Sequence, residues 1–445
     1  MNIHKLHSVY FIGVGGIGMS ALARYFLAMD VKVAGYDRVE TSLTAALSDE
    51  GAEIEYRDDF SRIPEWFLDT PTDRALVVYT PAVPKSNAIY SFLSARGLAV
   101  VKRAELLAMI TEGRPVIAVA GTHGKTTTST MAAHILHASG VGCNAFLGGI
   151  SANYNTNILF DSKNELVVVE ADEYDRSLLK LKPGTAVITS VEGDHLDVYG
   201  NEDNLKEGFR IFANLIPGYG RLFLKHGLDI RAGCPITTYH VDDESADIHA
   251  RNIRVEDGKY AFEVMHEGRW LGVIRMSYPG RHNVENALAA IGICLHHGVS
   301  WDAIRDALEN FRGVKRRFEY VINRPDRVFI DDYAHHPTEI KAFVSSVKEL
   351  YPARPITGVF QPHLYSRTRD FADGFAESLS LLDHLLLMDI YPAREEPIEG
   401  IDSEWLLNKV RTVNKKLSSR EELVSEVLKL SPEILLTMGA GDIDK

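Results

Sequence analysis

The amino-acid sequence predicts an α/β protein of three domains: a Rossmann-like N-terminal domain, a P-loop central domain with a mostly parallel sheet, and a Rossmann-like C-terminal domain. Two observations support this class. Short apolar runs alternate with amphipathic stretches along the whole chain, as in parallel sheets that helices cover on both faces. The alternation restarts near residue 112 and again after Gly313, and 445 residues is the length of about three domains.

The first block covers residues 1–111. Short apolar runs predict strands at residues 9–12, 31–36 and 76–79, and an amphipathic stretch predicts a helix at residues 20–29. The block therefore begins with the strand–helix–strand unit that is typical of a Rossmann-like domain.

The second and third blocks, residues 112–313 and 314–445, repeat the alternation. The second has predicted strands at residues 116–120, 166–169 and 186–189, helices at residues 125–139 and 283–296, and shorter β segments between residues 222 and 276. The third has predicted strands at residues 328–330, 356–360, 384–388 and 434–436, and a helix at residues 337–350 with Pro337 in its first turn.

A glycine-rich turn follows the first strand. Residues 13–18 read G-x-G-x-x-G between a strand and a helix, and Asp37 ends the next strand. Glycines allow backbone N–H groups at a helix N-terminus to approach a diphosphate, and an acid at the second strand can bind a ribose. A tight turn without a ligand is the alternative. Where a ligand binds, NAD, FAD and UDP-sugars stay open because all three carry a pyrophosphate.

A phosphate loop is predicted after the strand at residues 116–120. It consists of Gly121, Thr122, His123, Gly124, Lys125, Thr126 and Thr127, and it opens a helix. In such loops backbone N–H groups surround phosphates, the lysine meets the β- and γ-phosphate oxygens, and the hydroxyl after it binds Mg²⁺. Val119 stands where the usual spacing has a glycine, so the loop is a variant, and a chance Gly-Lys-Thr is the alternative.

Acidic residues follow two further strands. Glu170 directly ends an apolar strand, at the edge of a parallel sheet where ligands bind, and is the predicted Mg²⁺ ligand. His195 lies in the acidic loop 192–197 and is predicted to bind a second metal ion or the substrate. The alternatives are solvated loop acids and a structural histidine.

Composition excludes several classes of protein. The net charge of −13 disfavours a nucleic-acid partner, which would need many Lys and Arg side chains. The three cysteines, Cys143, Cys234 and Cys294, have neither metal-site nor disulfide-framework spacing. No leading signal segment and no apolar run of membrane-spanning length stands in the sequence, so we expect a cytoplasmic protein without a membrane partner.

Five segments together resemble the Mur ligase family. They are the loop at residues 121–127, the acids at residues 170–173 and 194–197, the helix start at residues 280–287, and the segment 315–319 before the third block. The resemblance covers nearly the whole chain. It implies that residues 1–111 bind a UDP-sugar rather than NAD, that residues 112–313 bind ATP, and that residues 314–445 bind an amino acid.

The resemblance also implies roles for single residues. The UDP-sugar would contact Gly15, Gly16, Ile17, Gly18, Met19 and Asp37. Beyond the phosphate loop, ATP would contact His282, Asn283, Asn286, Arg317 and Asp331. His335, His363 and Arg367 would contact the amino acid or the carboxylate substrate. Lys125, His195, Arg317 and His335 are the implied catalytic residues, and Thr126, Glu170 and His195 the implied metal ligands.

Residues 13–19, 331–339 and 360–363 resemble those family members that join L-alanine to the lactyl carboxylate of UDP-N-acetylmuramate in peptidoglycan precursor synthesis. This implies ATP and Mg²⁺ as cofactors, an acyl phosphate intermediate, small-molecule partners, and a monomer or weak homodimer. The alternatives are a recycling ligase that adds a preformed peptide to the same UDP-sugar, an NAD-dependent oxidoreductase fused to a P-loop module, and a non-catalytic nucleotide sensor.

Two positions depart from the family pattern. Leu364 stands where alanine-adding members commonly have a basic residue, although Arg367 follows. Residues 209–211 read Phe-Arg-Ile where several sister ligases carry a carbamylated lysine, so no such group is expected.

Overall fold

The computed structural model describes residues 2–193, 199, 201–393 and 395–444. Three α/β domains are present, which confirms the predicted fold class. By internal contacts the chain forms two compact units. The first unit comprises Met1–His240, Ser245–Ile248 and Ala289–Ala307, and the second comprises Val241–Glu244, His249–Leu288 and Leu308–Lys445.

The N-terminal domain has a five-stranded parallel sheet of order β3-β2-β1-β4-β5. The strands are β1 (Ser8–Ile12), β2 (Lys32–Tyr36), β3 (Glu53–Glu55), β4 (Ala75–Tyr79) and β5 (Ala99–Lys102). The helices are α1 (Ile17–Ala28), α2 (Ser42–Asp49), α3 (Glu65–Leu68), α4 (Ala88–Ala95) and α5 (Arg103–Thr111). All five residues of the central strand β1 are buried, because helices cover both faces of the sheet.

Strand register aligns the carboxyl ends of this sheet. Ser8 at the start of β1 pairs with Lys32 of β2 on one side and with Ala75 of β4 on the other. The glycine-rich turn after β1 and Asp37 after β2 therefore emerge at the same edge. This edge is where Rossmann-like domains bind their ligands.

In the first unit the central domain contributes strands in the order β12-β11-β10-β6-β9-β7-β8. They are β6 (Val116–Ala120), β7 (Asn144–Ser151), β8 (Thr156–Leu159), β9 (Val167–Glu170), β10 (Thr185–Ile188), β11 (Arg221–Lys225) and β12 (Ile236–His240). The neighbours pair in parallel except for β7 with β8, which confirms a mostly parallel sheet. Helices α6 (Lys125–Ala138) and α7 (Glu202–Asn214) follow β6 and β10.

The N-terminal and central parts of the first unit share one apolar core. The ring of Tyr25 in α1 lies 5.5 Å from Phe146 of β7 and 5.7 Å from Phe160, measured between centroids. Beside these rings the buried guanidinium of Arg24 donates to the side chain of Asn157, 2.5 Å away. Helix α1, which begins at the glycine-rich turn, is thereby fixed against the phosphate-loop domain.

The second unit includes three strands, β13 (Ile248–Glu256), β14 (Lys259–His266) and β15 (Arg269–Met276). The first residue of β13, Ile248, belongs to the first unit. Asp257-Gly258 and Glu267-Gly268 link them with positive φ at both residues, as two-residue hairpins require. Helices α8 (Arg281–His296) and α9 (Trp301–Glu309) follow, and both have residues in each unit.

The C-terminal domain has a six-stranded sheet of order β16-β17-β21-β18-β19-β20, parallel except for β16. The strands are β16 (Glu319–Asn323), β17 (Val328–Asp332), β18 (Ile356–Phe360), β19 (His384–Leu387), β20 (Asn414–Leu417) and β21 (Ile434–Met438). The helices are α10 (Pro337–Leu350), α11 (Tyr365–Asp370), α12 (Ala372–Leu379), α13 (Ser403–Lys409) and α14 (Arg420–Leu430).

Among the described residues, no helix is both long enough and apolar enough to cross a membrane.

Candidate functional site

The phosphate loop joins β6 to α6, and its backbone depends on glycine at two positions. Gly121 has a φ of +135°, and a Cβ there would lie 2.0 Å from the Thr189 hydroxyl oxygen. Gly124 has a φ of +80° and caps the N-terminus of α6. The first N–H groups of a helix lack intrahelical partners and carry a partial positive charge, so the loop presents donors suited to phosphate.

The end of β10 holds this loop in place. The backbone N–H of His123 donates to the Ser190 hydroxyl at 2.8 Å, and the Thr122 hydroxyl lies 2.9 Å from the same oxygen. The Thr189 hydroxyl donates to the carbonyl of His123. The sequence did not indicate a role for Thr189 and Ser190, since two adjacent hydroxyl residues at the end of a strand are not a distinctive pattern.

Lys125 is tied to its own loop and to a buried acid. Its ammonium donates to the carbonyl of Gly121 at 2.6 Å and lies 2.9 and 2.8 Å from the two carboxylate oxygens of Glu173. Burial lowers the pKa of Lys125, but the carboxylates of Glu173, Glu170 and Asp172 raise it by more. Burial raises the pKa of Glu173 to about 7 although Lys125 opposes this shift. Glu173 is therefore not the solvated loop acid that the sequence left open.

Thr126 and Glu170 form an oxygen pair beside the loop. The Thr126 hydroxyl donates to Oε2 of Glu170 at 2.9 Å. Gly148 of β7 makes room for this carboxylate, since a Cβ there would lie 2.0 Å from the same oxygen. A hydroxyl and a carboxylate are hard oxygen ligands of the kind that Mg²⁺ prefers. The two predicted metal ligands that the structure describes are thus brought together, whereas His195 lies outside the described residues.

His123 of the loop also faces an acid. Its Nε2 lies 3.5 Å from a carboxylate oxygen of Glu192, and the backbone N–H of Glu192 donates to the Thr122 hydroxyl at 3.1 Å. The loop after β10 therefore closes over one side of the phosphate loop.

In the glycine-rich turn, Asp37 holds the backbone. The N–H of Gly15 donates to Oδ2 of Asp37 at 2.7 Å, and a Cβ on Gly15 would lie 2.9 Å from both this oxygen and Cγ2 of Thr44. Gly16 is the N-cap of α1, with Ile17, Gly18 and Met19 in the first turn of that helix. Asp37 thus anchors the turn in the structure, and its contact with a ribose stays a prediction.

One cavity connects the glycine-rich turn to Glu170, a predicted metal ligand. A cavity of about 110 Å³ is lined by residues of the turn and of the central domain, including Ile17, Gly18, Arg103, Gly148, Glu170 and Asp172. Arg103 pairs with Asp172 at 3.2 Å, and a Cβ on Gly18 would lie 2.6 Å from the Arg103 guanidinium. The two predicted sites of the first unit therefore face the same space. Arg103 gave no signal in the sequence.

In the second unit, the predicted ATP residues of α8 occupy its first turns. Burial lowers the pKa of His282 to about 4. The side-chain amide of Asn283 donates to the carbonyl of Pro279 at 2.6 Å, and that of Asn286 donates to Asn283 Oδ1 at 3.3 Å. Both asparagines are buried, so their present partners are within the protein and their contact with a nucleotide stays a prediction.

The two arginines that precede β16 have different partners. Arg316 donates to Asp331 at 3.2 Å, and Asp331 also accepts from the Thr437 hydroxyl at 2.5 Å. The Arg317 guanidinium lies 4.9 Å from the centre of the Tyr333 ring and 3.7 Å from Glu339. Burial lowers the pKa of Arg317, but nearby acids, Glu339 first, raise it by more, so this predicted phosphate contact is a charged group.

The predicted substrate residues His335 and His363 are neighbours in the second unit. Their ring centroids are 6.2 Å apart, and His363 stacks on Tyr391 at 5.7 Å with an interplanar angle of 15°. His335 Nδ1 lies 3.1 Å from the carbonyl of Tyr333 and 3.2 Å from the Glu339 carboxylate. Tyr391 and Glu339 were not predicted as site residues.

The third predicted substrate residue, Arg367, lies in α11 and is buried. Leu364 precedes this helix with a φ of +70°, a value uncommon for a residue with a branched side chain. Its N–H donates to the carbonyl of Tyr391 at 3.0 Å, which secures the conformation. The backbone that links His363 to Arg367 is therefore held in an unusual state.

Three family models match the chain in sequence. They are "Mur ligase family, catalytic domain" at residues 8–114, "Mur ligase middle domain" at residues 119–294, and "Mur ligase, glutamate ligase domain" at residues 316–441. The chain is 48% identical over 442 residues to a UDP-N-acetylmuramate–L-alanine ligase of Christiangramia forsetii, covering 99% of this chain and 96% of the relative. It is also 48% identical over 446 residues to the enzyme of that name in Porphyromonas gingivalis, covering 98% and 96%.

Solved structures match as well. A UDP-N-acetylmuramate-alanine ligase from Thermotoga maritima has a TM-score of 0.84 at 27% identity, covering 98% of this chain and 96% of its own. A murein peptide ligase from Psychrobacter arcticus has a TM-score of 0.69 at 25% identity, with the same coverage. The alanine-adding structure is thus the better match of these two.

Proposed function

The chain belongs to the Mur ligase family, and we propose that it joins L-alanine to the lactyl carboxylate of UDP-N-acetylmuramate with cleavage of ATP. The observation that carries this proposal is the shared cavity, where the glycine-rich turn faces Glu170, whose carboxylate accepts from Thr126 of the phosphate loop. A ligase that phosphorylates the carboxylate of a UDP-sugar needs these two sites to be adjacent.

The reaction has to activate the carboxylate before an amine can attack it. A lactyl carboxylate oxygen attacks the γ-phosphorus of ATP, the bond to the β,γ-bridging oxygen breaks, and ADP leaves behind an acyl phosphate. The amine of L-alanine then attacks the acyl carbon. The carbon–oxygen bond breaks, inorganic phosphate leaves, and the nitrogen loses its proton.

In this reaction the residues of the first unit bind and neutralise phosphate. Loop N–H groups would hold the β-phosphate, and Lys125 would balance the charge of the γ-phosphate. Thr126 and Glu170 fit Mg²⁺ by ligand type and by their 2.9 Å separation. When bound, the ion supplies positive charge to the phosphate oxygens. A second metal site at His195 remains part of the proposal.

Substrate roles in the second unit follow the family resemblance. We propose domain boundaries near residues 111 and 313, with the amino acid bound in the C-terminal domain. The 6.2 Å separation of their rings supports His335 and His363 as contacts for carboxylate groups. Arg367 stays a proposed contact from the family resemblance. Arg317 and Asp331 would contact the phosphates and ribose of ATP. Because ATP is an intracellular substrate, we place the reaction in the cytoplasm, with a monomer or weak homodimer as the active form.

The direct experiment measures phosphate release by the purified protein. Release should require ATP, Mg²⁺, UDP-N-acetylmuramate and L-alanine together, and a preformed tripeptide should not replace L-alanine. Lys125→Ala should abolish release while leaving UDP-sugar binding measurable by calorimetry. Release with the tripeptide alone would favour the recycling ligase, and turnover of NADH would contradict the proposal.

A further inference from the structure

The ammonium of Lys125 has acceptors for all its donors within the protein. An ammonium offers three N–H groups. Its acceptors are the carbonyl of Gly121 at 2.6 Å, the carbonyl of Thr122 at 3.3 Å, and the carboxylate of Glu173 at 2.9 Å. Two of these belong to the phosphate loop, so Glu173 is the partner from outside it. The direction of the lysine side chain therefore depends on Glu173.

Glu173 is buried, whereas the neighbouring acids Glu170 and Asp172 are only partly buried. Its side chain is 1% exposed, whereas that of Asp172 is 34% exposed. Its backbone carbonyl accepts from the Tyr199 hydroxyl at 2.8 Å and from the N–H of Arg176 at 3.0 Å. The carboxylate thus reaches the phosphate loop from a fixed backbone. A carboxylate that is buried against one ammonium fixes the position of that ammonium, because either group alone would be an uncompensated buried charge.

We propose that Glu173 is a positioning residue, which orients the Lys125 ammonium toward the site of the γ-phosphate. This inference rests on the ligase function proposed above. Lysine has a flexible four-carbon stem, and immobilising it without a partner is opposed by its rotamer entropy. With Glu173 in place this ordering is complete before ATP binds. Glu173 itself need not touch the nucleotide.

The test compares Glu173→Gln, which keeps the shape and an acceptor oxygen but removes the charge, with the wild-type protein. A displacement of about 1 Å in a reacting group reduces rate about 10²-fold. We therefore expect kcat/KM for ATP to fall by about 10- to 100-fold, with KM for the UDP-sugar unchanged. Glu173→Asp, which keeps the charge on a shorter stem, should recover part of the loss.

A second measurement follows Lys125 directly. An amine-reactive acylating reagent, read out by peptide mass spectrometry, should label Lys125 several-fold faster in Glu173→Gln, because the amine is no longer held by the carboxylate 2.8 Å away. Labelling of the exposed Lys182 should be unchanged. A merely structural role for Glu173 would lower the unfolding temperature without this selective change in reactivity.

Glu165→Gln is the matched control, since Glu165 is 75% exposed and pairs with Arg114 on the surface. Its kcat/KM should stay within about twofold of wild type, as for exposed ion pairs. Wild-type kcat/KM and unchanged Lys125 labelling in folded Glu173→Gln would overturn the inference. If Glu173→Gln does not fold, full activity in Glu173→Asp would overturn it. Absence of phosphate release by the wild type would instead refute the proposed ligase function.

Discussion

At the residue scale, three acids close together in sequence have three different partners. Glu170 accepts from Thr126, Asp172 pairs with Arg103, and Glu173 holds Lys125. The sequence predicts Glu170 as the metal ligand because this acid ends a buried strand. It could not assign the other two, since their partners come from distant positions and the burial of Glu173 arises only in the folded chain.

The Thr126–Glu170 pair predicts a specific defect in metal use. Glu170→Gln removes the charged oxygen ligand but keeps the side-chain volume, so the half-saturating Mg²⁺ concentration should rise by at least about tenfold. Phosphate release measured across a Mg²⁺ titration tests this. Thr126→Val, which removes only the hydroxyl, should shift the titration in the same direction. An unchanged titration in both variants would mean that these oxygens do not bind the metal.

The glycine-rich turn should tolerate an alanine substitution less well at Gly15 than at the adjacent Gly16. A Cβ at Gly15 would lie 2.9 Å from Asp37 and Thr44, whereas at Gly16 the nearest atom would be 3.8 Å away. Gly15→Ala should therefore lower the free energy of unfolding by about 1–3 kcal/mol, as overpacking does. Gly16→Ala, at an N-cap with a φ of −68°, should cost less. Urea denaturation measures this, and an equal loss of unfolding free energy in both variants would contradict a close contact at Gly15 alone.

At the scale of elements, most strands in sheet centres were predicted, although the interior strand β7 was not, and several edge strands were missed. β6 and β18, which are fully buried, have the bounds that the sequence predicted. β3, β8 and β20 were missed, and all three are edge strands with polar residues. An edge strand is half-solvated, so its apolar pattern is short and weak.

The start of α8 predicts a pH dependence of stability. Burial lowers the pKa of His282 from its ordinary value of 6.5 to about 4. The unfolded chain therefore binds a proton between these pH values that the folded chain does not, and stability falls as pH decreases from 6.5 to 4. The full shift corresponds to up to about 3 kcal/mol.

Denaturation of His282→Gln as a function of pH tests this. Because a glutamine does not titrate, the variant should lose less stability than the wild type between pH 6.5 and pH 4. Substitution of the exposed His4 by glutamine is the control and should follow the wild type. Parallel curves for wild type and His282→Gln would show that this histidine is not the source of the pH dependence.

At the scale of the whole molecule, we propose one substrate for each of the three domains. The three family models end and begin near the predicted boundaries, at residues 114 and 119 and at residues 294 and 316. Because the proposed acyl phosphate has to be shielded from water, we expect closure around the second boundary, near Gly313. Sequence periodicity predicted three domains, but the pairing of Arg317 with Glu339 and Tyr333 depends on the tertiary fold.

The second boundary gives the last prediction. Gly313 has a φ of +92°, and a Cβ there would lie 2.3 Å from the ring of Tyr278, whose hydroxyl donates to the carbonyl of Arg317 at 2.7 Å. Gly298 has a φ of +80° with no atom within 4 Å of such a Cβ. Both alanine variants should incur the cost of positive φ, about 1–2 kcal/mol. Gly313→Ala alone should also displace Tyr278, and with it Arg317.

We therefore expect Gly313→Ala to raise KM for ATP and Gly298→Ala to leave it unchanged. Phosphate release, measured well below the unfolding temperatures of both variants, tests this. X-ray scattering adds a test of closure. The radius of gyration of wild type and Gly298→Ala should decrease when an ATP analogue and the UDP-sugar are both bound, and it should decrease less in Gly313→Ala. If the radius of gyration decreased equally in all three proteins, the prediction would be wrong. The contact between Gly313 and Tyr278 would then have no part in closure.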